Sequence, residues 1–361
     1  MVLETLKITD FRNIATLEIN LSPGVNIFYG DNGSGKTNLL EAIFVLYLGR
    51  SHRAASESVM VREGCEFYRL EGTANQFDKN YELAVAYERG GRKRVSIDKV
   101  AVRLSELYDN FSAVAVGPED SEILAGSPSV RRRFLDIYLS QFSQKYLSSL
   151  AAYQKVIAQK NAALKRHMDP FAFNELLVES GASIMRDRID FLAKVAESAA
   201  QYYGHISDGG MLRVGYQPSV SLPQPTESKD DIKKAFAAAL QKAAERERII
   251  ETAMVGPHRD DIIFDINDLP ARSHGSQGEW RTAAIALKLA VYHLIKEKRG
   301  FHPVLLLDEI FAELDHKRAE LLVAAFEDFR QLFLTTAVEP PGFLRQNSCG
   351  YRVAGGKIIE V

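Results

Sequence analysis

Apolar positions recur along this chain with two periods. In the first hundred residues they alternate, or run continuously over short stretches, which is the pattern of strands. Leu3 to Ile8, Ala15 to Leu21 and Val25 to Tyr29 read as three strands, and residues 66–102 as more, with Arg89-Gly90-Gly91-Arg92 turning between Tyr81–Tyr87 and Val95–Val102. From Thr37 onward, Leu39, Leu40, Ala42, Ile43, Val45 and Leu46 make a helix apolar nearly all round, hence buried. A last apolar strand, Ala113–Val116, ends in Gly117-Pro118, and the period then changes. Ser127-Pro128 reads as a helix cap followed by proline at the first helical position. Val130, Phe134, Ile137, Tyr138, Phe142, Tyr146, Leu150 and Tyr153 then recur every three or four residues. A second run carries Phe191, Leu192, Val195 and Ala199, and His167–Phe173, with Pro170, separates the two. Two such runs back to back predict a short helical hairpin. Further on come a strand at Met211–Tyr216, a polar helix at Lys229–Glu251, a strand at Ile262–Ile266 and a helix from Gln277 to about Lys298. No internal repeat is evident.

At 361 residues the chain is long enough for two domains, or for one with a large insertion. Its 46% hydrophobic and 25% charged content is ordinary for a globular protein. A formal charge of −2 argues against a uniformly basic nucleic-acid binder, so any such contact falls to local Lys and Arg patches. Two cysteines, Cys65 and Cys349, imply neither a disulfide framework nor a zinc site. There is no charged-then-apolar leader and no apolar run long enough to span a bilayer, so the expectation is a cytoplasmic protein with no membrane partner.

Candidate chemistry begins at Gly30-Asp31-Asn32-Gly33-Ser34-Gly35-Lys36-Thr37, the spacing G-x-x-x-x-G-K-[ST] between a strand and a helix. Glycines there let successive N–H groups point inward, and the helix N-terminus favours an anion. Lys36 reaches β- and γ-phosphates, and Thr37 offers its hydroxyl to Mg²⁺. Far along the chain, Pro303-Val304-Leu305-Leu306-Leu307 runs into Asp308-Glu309, a strand expected beside the phosphate-loop strand, with Asp308 near Mg²⁺ and Glu309 orienting an attacking water. The separation is too great for one strand-helix-strand unit, so something substantial is inserted. Ser276-Gln277-Gly278-Glu279 reads as a capping box opening a helix, and the same geometry suits a γ-phosphate.

The order phosphate loop, Ser-Gln-Gly-Glu, Leu-Leu-Leu-Asp-Glu, then Ala312-Glu313-Leu314-Asp315 resembles the ABC-type ATPase core. In that core the serine-glycine helix of one subunit completes the ATP site of the other, and the loop carrying Asp315 crosses the dimer seam. Asp10-Phe11-Arg12-Asn13, Gly30–Glu41, Gly49–Arg53, Pro118-Glu119-Asp120, Gly126-Ser127-Pro128 with Arg131 and Arg132, Gly256-Pro257-His258-Arg259-Asp260-Asp261 and Gly275–Gly278 narrow the resemblance to the RecF family of bacterial recombination mediators. It implies an α/β fold, an ABC/SMC-type P-loop ATPase head with a mixed sheet and an inserted helical lobe bearing a short coiled-coil-like hairpin. The expected division is an N-terminal ATPase half at 1–116, the inserted helical domain at 117–256 and a C-terminal ATPase half at 257–361. The implied cofactors are ATP and Mg²⁺. The implied partners are a second copy bound through ATP, double-stranded and gapped DNA, and RecR and RecO, with RecA as the protein loaded. Nucleotide contacts are implied for Arg12, Asn13, Gly30, Asn32, Gly33, Ser34, Gly35, Lys36, Thr37, Asn38, Ser276, Gln277, Gly278 and Asp315. Catalysis falls to Lys36, Asp308 and Glu309, and metal contact to Thr37 and Asp308.

The chain departs from related patterns in ways that imply slow hydrolysis. Glu279-Trp280 stands where a further Gln is common, and Asp308-Glu309 where the family usually has two aspartates. The lobe-boundary glutamine is missing, with Glu119 or Asp120 in its region, and Thr335-Thr336 follows the next strand where a switch histidine is expected. Arg12 reads as a phosphate contact or a surface arginine, and Arg53 as DNA-facing or nucleotide-sensing. Arg131-Arg132-Arg133 cannot share one helix face, so at least one is an ion-pair partner. Trp280 reads as core. Arg53, Arg92, Lys93, Arg94, Lys155, Lys160 and Lys165 are the candidate DNA contacts. Two other readings are the ATPase subunit of a membrane transporter and a long-armed SMC-type tether. The long helical insertion opposes the first, and the lack of an extended heptad run opposes the second.

Overall fold

The computed structural model describes residues 1–54, 56–222, 228–311, 329–337 and 348–360, and the chain divides into two compact units. One comprises Met1–Asp120, His205–Ser207 and Ala284–Val361, and the other Ser121–Gly204 and Asp208–Ala283. The second boundary falls at 283/284 rather than 256/257, because residues 257–283 join the helical unit.

Two sheets build the first unit. One is antiparallel, in the order β2 (Ile14–Asn20), β1 (Val2–Phe11), β4 (Phe67–Gln76), β5 (Lys79–Glu88), β6 (Arg94–Ile97), β7 (Val100–Ala101). The other runs β15 (Lys357–Glu360), β14 (Ser348–Ala354), β3 (Gly24–Tyr29), β13 (Gln331–Thr336), β12 (Val304–Asp308), β8 (Ala113–Val116), parallel except for the final hairpin. Helix α1 (Lys36–Leu48) touches β8, β12 and β13 of this sheet and β1, β4 and β5 of the antiparallel one. Lying between two sheets, it has no water-facing side, which is why its sequence is apolar all round. Strands β12 and β13 are buried along almost their whole length, as parallel strands covered on both faces must be. By contrast β4 alternates, burying one face only.

Two expectations for this unit need correction. Residues 95–102 are not one strand: Asp98 and Lys99 take left-handed φ of 52° and 67°, turning the chain between β6 and β7. The acidic strand is also not beside the phosphate-loop strand, because β13 lies between them, with Leu334 paired to both Ile27 and Leu307. Short helix α2 (Leu104–Asn110) completes the described core of this unit.

The second unit holds α3 (Glu122–Ala125), α4 (Pro128–Phe142), α5 (Gln144–Lys165), nearly all of α6 (Asn174–Ile206), α7 (Lys229–Ile250), α8 (Ala271–His274) and the first turns of α9 (Gln277–Arg299). A small sheet, β11 (Leu269–Pro270), β10 (Asp261–Ile266), β9 (Leu212–Gln217), accompanies them. Pro128 opens α4 as expected, although the Ser127 side chain makes no cap bond. Extended backbone at Ser143 breaks the long helical run into α4 and α5, and the Ser143 hydroxyl accepts from the Tyr146 N–H. The predicted hairpin is α5 against α6. Tyr146 meets Arg188, Tyr153 lies against Gly181, and Lys160 meets Asn174, so residues one heptad apart on α5 face residues one heptad apart on α6 running the other way. No helix among the described residues is long and apolar enough to cross a membrane.

Candidate nucleotide site

The phosphate loop leaves β3 and enters α1 through three glycines with positive φ, at Gly30, Gly33 and Gly35. Gly35 is the cap residue of α1 at φ 110°, and a Cβ there would lie 2.9 Å from the Asn13 side-chain oxygen. No side chain caps the helix, so its first N–H groups remain for an anion. Behind the loop, the Gly356 N–H donates to the Ser34 carbonyl at 2.7 Å, bracing the loop from the β14–β15 turn. The Ser34 hydroxyl is buried with no hydrogen-bond partner among the described residues.

Four side chains nominated from distant parts of the sequence meet here. The Thr37 hydroxyl lies 2.8 Å and 3.0 Å from the two Asp308 carboxylate oxygens, joining the start of α1 to the end of β12. Lys36, almost fully buried, donates to the Gly30 and Asp31 carbonyls and pairs with Glu309 at 3.1 Å. The second Glu309 oxygen accepts from the Ala337 N–H at 3.0 Å. Burial raises the Asp308 carboxyl above its ordinary value, against the hydroxyls of Thr335 and Thr37 and the Arg53 guanidinium, which favour its charged form. A threonine hydroxyl beside a carboxylate is an oxygen donor set that suits Mg²⁺. Asn38 donates to Asn13 at 2.8 Å, and both line an open cavity of about 860 Å³ shared with Arg12, Val59, Arg62 and Arg89.

Several nominated residues are occupied elsewhere. Arg12 forks onto Glu41 at 2.8 Å and 2.9 Å and also donates to the Val59 carbonyl, so its guanidinium holds the buried Glu41 of α1. Arg53 bonds Glu119 at 2.9 Å and stands 3.8 Å from Glu41; burial opposes its charge, yet these carboxylates and Asp308 hold its pKa above the usual value. Neither acid near the missing lobe-boundary glutamine is unengaged, since Asp120 pairs with the buried Lys288 at 2.8 Å. Two DNA nominations are engaged inside the fold, Lys160 by burial and the half-buried Lys93 by its partners. Lys160 is 1% exposed and paired to Glu247 at 2.7 Å, while Lys93 bonds Glu57 at 2.6 Å and the Gly49 carbonyl. Arg92, Arg94, Lys155 and Lys165 are exposed.

In the second unit, Ser276 forms the expected capping box: its N–H and hydroxyl donate to Glu279 at 2.8 Å and 2.9 Å. Gln277 and Gly278 open α9 just behind it. Trp280 is only half-buried, its indole N–H donating to the Ala271 carbonyl at 2.7 Å. Asp315 lies outside the described residues, while exposed Asn32 sits at the crest of the phosphate loop.

The Gly256–Asp261 segment explains itself in this unit as a polar core that sequence reasoning left without a role. Buried Arg188 donates to the Pro257 carbonyl at 2.7 Å and to Asp136 at 2.9 Å. Asp260 accepts from the Ser219 N–H and the Tyr216 hydroxyl, Arg131 forks onto Asp261, and His258 accepts or donates to Tyr153 at 2.7 Å. Arg131 is thus an ion-pair member of the arginine triplet. Nothing in linear spacing could have found Arg188 or Tyr216, since their partners lie on other elements.

A family described as the RecF/RecN/SMC N terminal domain matches residues 2–349. The chain is 36% identical over 344 residues to the DNA replication and repair protein RecF of Halalkalibacterium halodurans, covering 93% of this chain and 92% of that one. It is 33% identical to RecF of Clostridium tetani across 100% of both chains. A solved structure of the recombination mediator protein RecF with ATP, in the RecFOR pathway, matches with a TM-score of 0.90 at 30% identity, over 99% of this chain and 97% of that one. An SMC head bound to the C-winged helix domain of ScpA matches at 0.54 and 17% identity, over 100% and 98%, a likeness of fold.

Proposed function

The chain belongs to the RecF family of SMC-type ATPases, and on that premise we propose that it is an ATP-dependent DNA clamp of recombinational repair. The observation that supports the reading is the Thr37–Asp308 contact, which brings two oxygen donors suited to Mg²⁺ together from distant parts of the chain. The loop N–H groups and Lys36 hold the phosphates, with Thr37 and Asp308 on Mg²⁺. The cavity beside Asn13 and Asn38 takes the base and ribose. Bound Mg²⁺ supplies charge neutralisation at the β- and γ-phosphates. Glu309 pairs with Lys36 here; with the Lys36 ammonium turned to phosphate oxygens instead, the Glu309 carboxylate is free to orient a water. The capped N-terminus of α9 meets the nucleotide of a second copy, so ATP joins two subunits. The closed dimer grips duplex DNA and single/double-strand junctions and, with RecO and RecR, helps place RecA on gapped DNA. Hydrolysis is slow and DNA-stimulated, and the protein works in the cytoplasm on the nucleoid.

Sedimentation velocity with and without ATP tests this. The expected result is a monomer that dimerises on ATP, with Lys36→Arg still dimerising but impaired in hydrolysis and Ser276→Arg binding ATP as a monomer. A wild-type monomer unchanged by ATP overturns the clamp.

A further inference from the structure

Strand β13, interposed between the phosphate-loop strand and the acidic strand, carries a side chain that touches both acids of the site. Thr335 is fully buried, and its hydroxyl donates to Asp308 Oδ1 at 2.6 Å while accepting from the Glu309 N–H at 3.0 Å. The Thr335 carbonyl takes the same N–H at 3.2 Å. Glu309 needs such support: its φ of 48° is a left-handed conformation that a non-glycine residue adopts only at a cost. Two residues on, the Ala337 N–H holds the Glu309 carboxylate. The end of β13 therefore fixes the Asp308 side chain, the backbone joining the two acids and the Glu309 side chain.

We propose that Thr335 is a positioning residue for ATP hydrolysis: its hydroxyl sets the rotamer of Asp308 for magnesium and the turn that presents Glu309. Sealed from solvent, it touches no substrate. The inference rests on the nucleotide-site reading and deepens it. Asp308 carries two hydroxyl donors, Thr37 and Thr335. When the Thr37 oxygen turns to a metal, the Thr335 bond is the one that continues to orient the carboxylate. A charge-assisted bond of this kind is strong enough that its loss is felt about tenfold or more in an equilibrium or a rate.

The test compares Thr335→Val, which keeps the shape and loses the hydroxyl, with Thr335→Ser, which keeps the hydroxyl. ATP binding is measured by calorimetry in EDTA and across a Mg²⁺ titration, alongside kcat and thermal midpoint. The expected result for Thr335→Val is wild-type binding in EDTA, a Mg²⁺ requirement raised about tenfold or more and a matching fall in kcat, with Thr335→Ser close to wild type on all three. Wild-type Mg²⁺ dependence and kcat in Thr335→Val, or equal impairment in Thr335→Ser, overturns the proposal. If Thr335→Val does not fold, Thr335→Ala carries the same comparison. Failure of the wild-type protein to bind ATP at all refutes the nucleotide site itself, a separate outcome.

Discussion

Replacing Lys160 with Met removes one half of an ion pair whose two side chains are each 1% exposed. Lys160 Nζ lies 2.7 Å from Glu247 and 3.1 Å from the Asn174 side-chain oxygen, and the other Glu247 oxygen accepts from the Met254 N–H at 2.8 Å. The pair ties α5 to α7 and to the start of α6. Without the ammonium, Glu247 keeps one hydrogen bond and a buried negative charge, which costs about 3–5 kcal/mol. Urea unfolding followed by fluorescence of Trp280, the single tryptophan and a residue of the helical unit, reads this directly. With a urea slope of about 1–3 kcal/mol/M, the midpoint falls by at least about 1 M. Lys160→Met with Glu247→Gln removes both charges and retains the acceptor for Met254, so it recovers most of the loss. A single variant as stable as wild type, with a DNA-binding salt slope lowered by about one, would refute the argument and restore Lys160 as a phosphate contact.

Burial, with Arg259, Arg132 and Lys160 nearby, lowers His258 from 6.5 to about 4. Because the folded value lies below the unfolded one, its contribution is full above pH 6.5 and is lost as pH falls from there towards 4, on the order of 3 kcal/mol in all. His258→Gln should flatten that part of the stability–pH curve from urea midpoints, and an unchanged curve rejects the assignment. Gly35→Ala places a methyl against Asn13 at a backbone conformation that alanine resists, so nucleotide affinity measured by calorimetry should drop about tenfold or more; wild-type affinity would show that the loop has room to move. Glu279→Gln keeps the cap and removes a negative charge from the N-terminus of α9, so half-maximal dimerisation in sedimentation should need about threefold less ATP. An unchanged requirement would place that helix end away from the phosphates.

What was legible in the sequence rests on local rules, and what was not rests on burial and long-range packing. The phosphate loop, the acidic strand and the serine cap each rest on a local rule, a glycine spacing, an apolar run or a capping box, and each formed where the sequence put it. The hairpin was equally readable, because apolar period and a proline-bearing break are local. The DNA nominations relied on charge alone, and charge does not reveal burial: Lys155 and Lys160 sit on one helix, one exposed and the other internal. The division at 283/284 falls inside α9, a single helix whose ends belong to different units, so no loop or composition shift in the sequence marks it.

By itself the sequence determined most of the segments that form helices and strands and that α1 must be covered on every side, and it nominated the residues proposed for phosphate and metal chemistry, since these follow from spacing and side-chain type. Tertiary structure alone decided the strand order, with β13 between the two halves of the site, and the partners of each buried charge. Strand neighbours and ion pairs are long-range pairings chosen by the packing of the whole core, and Thr335, Lys160 and Arg188 acquire their roles from residues that chain order does not bring near.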